Sequence, residues 1–137
     1  MKLTVKYVPL DKFHQTWPLV ESLLAEALKW GEDDYTKEQA KALLSQGTWV
    51  LLVAVNEEND IKGAASISFT NMPNDRVAFI TAIGGRLISN NDTYAQMCEI
   101  LKGFGATKIQ GATRESVARL FSQYGFRERY IIVEAKI

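Results

Sequence analysis

GGRLISNNDTYAQMCEILKGFGATKIQGATRESVARLFSQYGF, residues 84–126, decides the fold. The Gly84-Gly85 pair closes a buried strand, Val77 to Ile83, and a turn follows. Tyr94, Met97, Ile100, Leu101 and Phe104 then recur at helical spacing, which predicts a helix over 91–104 stopped by Gly105. Lys108 to Ala112 reads as a short strand. A helix joins it to the strand before, so the two are expected to run parallel. Val117, Leu120, Phe121 and Tyr124 form the stripe of a last short helix, with Gly125 at its left-handed stop. Tyr130 to Ile137 alternates as a final strand, free to pair across a homodimer.

Upstream, Leu3, Val5 and Tyr7 alternate as a short strand ended by Pro9. Asp11 is placed to cap a helix carrying Phe13, Trp17, Val20, Leu24, Ala27 and Leu28, with Gly31 as its stop. Pro18 predicts a kink there, or a start as late as Thr16. Thr36 and Gln39 have capping-box spacing before a second helix that ends at Gly47. Three strands follow: Trp49–Val55, nearly all apolar; Ile61–Thr70; and Val77–Ile83. The polar turns between them are too short for helical crossovers, so an antiparallel meander is expected.

Composition narrows the function classes. The 137 residues fit one domain, 47% hydrophobic and 23% charged. Sixteen basic and sixteen acidic residues cancel, which argues against nucleic acid as the partner. One Cys98 and one His14 make neither a disulfide nor a metal pattern. No apolar run has the length of a membrane span and the first residues do not read as a signal peptide, so a cytoplasmic protein is expected. Trp17, Trp30 and Trp49 have no basic cluster beside them and read as packing residues.

The order β-α-α-β-β-β-α-β-α-β, with Gly125-Phe126 before the last strand, resembles the GNAT-type N-acetyltransferase superfamily over nearly the whole chain. It is most similar to the small GNAT-like proteins of tailed phages and prophages. That similarity rests on Leu43-Leu44-Ser45-Gln46-Gly47 before a strand with Trp49, Met72-Pro73 in the turn after the third strand, Gly84-Gly85, Gly105, Arg114 and the triplet Tyr124-Gly125-Phe126. The resemblance implies an α+β fold: a mixed, mostly antiparallel sheet with helices on both faces and a parallel pair of fourth and fifth strands. It also implies a wedge between that pair for acetyl-CoA or a related acyl-CoA, with no metal.

On this resemblance the carrier's pantetheine arm lies along Ile80, Ala82 and Ile83, and its diphosphate lies near Gly84, Gly85, Arg86, Ser89, Asn90 and Asn91. Amides at a helix start favour anions there. Arg114 is a further anion contact, Tyr124 a candidate proton donor, and the acceptor an amine whose identity is not readable. The chain departs from the family pattern at several places. Ser89 and Asn91 stand where active members carry glycines, Phe121 where a Tyr is frequent, and Arg114 where an Asn is frequent. The fourth strand has no carboxylate. Asp75, Glu32, Asp33 and Asp34 read as solvated loop charges, and Tyr124 reads as well as a core aromatic with its hydroxyl at the rim. Two functions stay open: acyl transfer to an amine, or a non-catalytic phage structural or interaction protein that keeps the fold, in the host cell or the virion.

Overall fold

The computed structural model describes residues 2–30 and 34–137. The helix stop expected at Gly31 and the loop charges Glu32 and Asp33 lie outside the described residues. Strand β1 is Thr4–Tyr7. A 3-10 turn at Leu10–Lys12 leads into α1, Phe13–Trp30, which runs through Pro18. The expected late start is therefore not seen. Pro18 and His14, whose carbonyl would accept the missing amide in a regular helix, are both exposed, so water can serve that carbonyl.

Helix α2, Lys37–Ser45, starts at the expected capping box: Thr36 Oγ1 accepts from the Gln39 amide and Gln39 Oε1 accepts from the Thr36 amide. Strands β2 (Val50–Val55), β3 (Ile61–Asn71) and β4 (Arg76–Gly85) form the antiparallel meander. Helix α3 is Asn91–Gly103, β5 is Lys108–Gly111 and α4 is Glu115–Ser122. The strands stand in chain order in one sheet, and β5 pairs with β4 in parallel. This is the α+β architecture with the mixed sheet and parallel pair that the sequence predicts.

The sheet has a core on each face. On one, Leu51, Val53, Val55 and Ala64 pack against Phe13, Trp17, Val20, Leu24 and Leu28 of α1 and Leu44 of α2. On the other, Leu52, Ala54, Ala65, Ile67, Ala78 and Ile80 pack against Leu87 and against Met97 and Leu101 of α3. Every residue of β2 is buried, as its unbroken apolar run requires. Two glycines permit the closest approaches. A methyl group on Gly84 would overlap the main-chain carbonyl of Leu23 on α1, and one on Gly63 would overlap the chain at Arg86 and Leu87.

The final strand is the main departure. Residues 126–137 join no sheet, and Tyr130, Ile131, Ile132, Val133 and Ile137 are exposed. The alternation of Tyr130–Ile137 supplies strand propensity, but a strand forms only where an edge accepts its main-chain groups. Arg129 and Tyr130 line one groove with Met72, Asp75 and both Lys108 and Gln110 of β5, but no strand pairing forms there.

Candidate functional site

The parallel pairing of β4 with β5 runs from Val77–Lys108 to Ile80–Gly111 and stops there. Beyond it, β4 continues from Thr81 to Gly85 bound to β3 alone, so its other edge is open. All four residues of β5 are used in that pairing, and one residue on, β4 is bulged. The β3–β4 register shifts at Ser66/Ile67, leaving Thr81 as an extra residue on β4. Such a bulge bends its strand and turns it away from a neighbour.

Two interactions fix the bulge. The Thr81 hydroxyl donates to the Ser66 carbonyl (3.0 Å) and accepts from the buried Ser66 hydroxyl (2.6 Å). The Tyr35 hydroxyl donates to the Thr81 carbonyl. Partial burial, with the nearby Asp34 carboxylate second, pushes the Tyr35 phenol above its ordinary pKa. The bulge also reverses the facing of side chains. Ile80 and Ile83 join the core on the α3 side, while Ala82 joins the core under α1. The three residues expected along a carrier's arm thus share a main-chain edge but no common face.

At the far end of that edge, the turn from Gly85 to Asn90 enters α3. The helix cap is Asn90, the residue just before the first helical position. Asn90 Oδ1 accepts from the Thr93 amide (2.9 Å). The fully buried Thr93 hydroxyl accepts from the amides of Ser89 (2.9 Å) and Asn90 (3.2 Å) and donates to the Asn90 carbonyl (3.1 Å). Three of the donors an anion would use are thereby taken up by the chain itself. The Asn91 and Asp92 amides are left by helix geometry. The Asp92 carboxylate, which accepts from Gln96 Nε2 (2.9 Å), sits in the same first turn and brings negative charge to it. Arg86 is exposed and forms no ion pair among the described residues.

Arg114 precedes α4 and lies with its guanidinium 4.6 Å from the centre of the exposed Trp30 ring at the end of α1. Tyr124 stacks on Tyr94 of α3, ring centres 5.3 Å apart, and Phe126 meets Tyr94 and Phe121. This aromatic cluster ties α4 to the first half of α3, and it includes the expected Tyr124 and Phe121. Partial burial, then the hydrogen bond with Cys98 one turn on, pushes the Tyr94 phenol up to about 12. Cys98 itself is half-buried rather than fully enclosed.

Asp75 lies at the opposite end of the β4–β5 pair. It meets Lys108 (3.1 Å) and accepts from the Thr107 hydroxyl (2.9 Å), and these contacts hold its carboxyl below the usual carboxylate range. Its place there separates it from the wedge. His14 is exposed against the edge of Phe13, Trp17 is core, and Trp49 packs edge-on against Tyr35. No group of His, Cys, Asp and Glu among the described residues has the geometry of a metal site.

Sequence reasoning passed over Tyr35 and Thr93, and read Tyr94 only as a position in the apolar stripe of α3. Thr93 had a signal, since Asn90 and Thr93 have the spacing of a capping box. Tyr35 had none, because its partner is a main-chain carbonyl distant in sequence.

With a bulged fourth strand, a parallel fifth that ends at Gly111 and a helix entering beyond it, the architecture has counterparts among solved structures. It superposes on a GNAT family acetyltransferase from Staphylococcus aureus with a TM-score of 0.64 and 14% identity, covering 100% of both chains. The fold is that of the GNAT acetyltransferases. An aminoglycoside acetyltransferase from an uncultured soil metagenomic sample gives a TM-score of 0.68 at 16% identity, covering 100% of this chain and 99% of that one. A predicted acetyltransferase from Clostridium acetobutylicum, solved with acetyl-CoA, gives 0.60 at 15% identity, covering 98% and 96%. No protein-family model matches the chain, and no curated protein does. No helix of the described residues is long and apolar enough to cross a membrane.

Proposed function

We propose that this GNAT-fold protein binds an acyl-CoA in the opening between β4 and β5 and passes the acyl group to an amine, as a small acyltransferase of the phage type. The observation that carries this reading is the open edge of β4 from Thr81 to Gly85. An unpaired strand edge offers alternating amides and carbonyls to the amide groups of a thin extended ligand. The neighbour from Clostridium acetobutylicum, with the same fold, was solved with acetyl-CoA.

The residues present fit the two ends of such a ligand unequally. The arm fits the β4 edge at Ala82 and Ile83, starting where Ile80 ends its pairing with Gly111. The diphosphate end retains the Asn91 and Asp92 amides and Arg86 beside Gly84 and Gly85, with Ser89 and Asn90 amides already bound by Thr93. An acyl-CoA supplies an activated thioester. The chain's part is to align it along β4 and to hold a proton for the leaving thiolate, a role for the Tyr124 phenol. Arg114, held on Trp30, places positive charge where α4 begins.

A second reading has its own observation. The internally capped start of α3, with Asp92 in its first turn, favours a non-catalytic descendant of the fold that serves other phage proteins in the host cytoplasm or the particle. A homodimer is compatible with both, since neither the β4 edge nor the α3 start uses residues 130–137.

Thermal unfolding with and without acetyl-CoA separates the two. The first reading expects the midpoint to rise with ligand, because a ligand that binds only the folded state stabilises it. No rise at about millimolar concentration leaves the second reading. If the midpoint rises, Arg86→Ala should weaken the effect more than Arg127→Ala.

A further inference from the structure

A hollow of about 850 Å³ opens on the α1 face of the sheet at β1, the end of the strand order opposite β5. That is the size of a small-ligand site. Its floor is apolar, with Val8, Val53 and Val55 buried and Ile61 half-buried. Leu19 of α1 lines it too and is 63% exposed. Three charged residues share the lining: Lys6, Lys12 and Asp60. Lys6 pairs with Val53, and Val5 beside it joins the core under α3, so Lys6 stands on the α1 face. Lys12 ends the 3-10 turn before α1, and Asp60 precedes the first residue of β3. All three are exposed, and none forms an ion pair among the described residues. Opposite charges that line one groove without meeting each other suit a ligand that meets both.

From this we infer that the groove binds a short apolar peptide with both termini free. Its carboxylate meets Lys6 and Lys12, its ammonium meets Asp60, and its side chains cover Val53, Val55 and Leu19. Three observations select this ligand. The charges are sorted by place: the lysines belong to β1 and the turn after it, and Asp60 to the turn before β3. The spacing fits a short peptide, because β2 stands between β1 and β3. Two strand spacings come to roughly 10 Å, and an extended chain of three residues spans roughly 10 Å. The apolar floor between the charges disfavours a ligand that is polar throughout, since its buried groups would find no partners there.

The groove lies away from the β4 edge, so its test needs no acyl-CoA and uses the full chain. Amide NMR shifts are followed during titration with the tripeptide Ala-Leu-Val, and with the same peptide acetylated at its N-terminus or amidated at its C-terminus. The expected result is saturable shifts in 6–8, 53–55 and 59–61, with each blocked peptide binding at least about tenfold more weakly. Variants at the exposed charges then assign the ends. Lys6→Gln with Lys12→Gln should bind free and amidated peptide alike, and Asp60→Asn should bind free and acetylated peptide alike. Absence of saturable shifts overturns the inference. So do saturable shifts confined to other residues, such as the β4 edge at 81–85, because they mark another site. Blocked peptides that bind as tightly as the free one also overturn it, since the charges then carry no recognition.

Discussion

The Tyr35 hydroxyl donates to the main-chain carbonyl of Thr81, the first residue of β4 beyond its pairing with β5. A loop between two helices thereby holds the bulge that lies next to the end of the β4–β5 pairing. Tyr35→Phe keeps the edge-on packing against Trp49 (ring centres 5.1 Å apart) and deletes only the donor. The half-buried carbonyl then loses its partner, and urea unfolding should show a loss of about 1–2 kcal/mol. An unchanged stability would mean that Ser66 and Thr81 set the bulge by themselves.

Thr93 is the acceptor for two main-chain amides at the start of α3 and is itself fully buried. Thr93→Val preserves the shape and strands both donors, at a cost of about 1–3 kcal/mol. Asn90→Ala removes the reciprocal half of the cap and should cost about 1 kcal/mol. The two share one network, so the double variant should lose less than the sum of the singles. Additive losses would show two independent caps.

The two glycines that flank the opening should respond in opposite ways. Gly84→Ala drives a methyl group into the Leu23 carbonyl, a main-chain atom that cannot step aside. A loss beyond about 4 kcal/mol, or failure to fold, is expected. Gly111→Ala places its methyl 3.7 Å from the Ile80 side chain, an ordinary contact, and should leave the melting temperature nearly unchanged. A tolerated Gly84→Ala would mean that α1 does not sit as described.

Tyr94 predicts an alkaline limit. Burial first, and Cys98 second, raise its phenol from the ordinary 10.0 to about 12 in the folded chain. The folded state keeps a proton that the unfolded state gives up. The stability gained this way is whole below about pH 10 and drains away as the pH rises toward about 12. Urea unfolding across that window should show the decline, and Tyr94→Phe should flatten it. An equal slope in the variant would assign the loss to other groups.

Much of the architecture was legible because it follows from patterns local in sequence. Tyr94, Met97 and Leu101 announce α3, Thr36 and Gln39 announce the start of α2, and the short turns leave the β2–β4 meander no other course. Parallel pairing of β4 and β5 followed from the helix between them. The bulge at Thr81 was not legible, since a register shift depends on two strands at once and Ser66 gives no hint of it. The helix from Asn91 was legible but its cap was not, because Ser89, Asn90 and Asn91 are all competent caps and only the buried Thr93 decides among them. The final strand failed for a related reason: Tyr130–Ile137 has the propensity, but pairing is a property of an edge elsewhere. For the site, the open stretch of β4 was anticipated, while the amides withdrawn by Thr93 were not.

The contact between Gly84 and the Leu23 carbonyl also assigns the moving parts. With helix and strand seated backbone against backbone there, the α1–β4 half behaves as an anvil that cannot slide or tilt. Any widening of the cleft falls to the other jaw, β5 and α4, none of whose side chains is buried, swinging about the Ile80–Gly111 pairing.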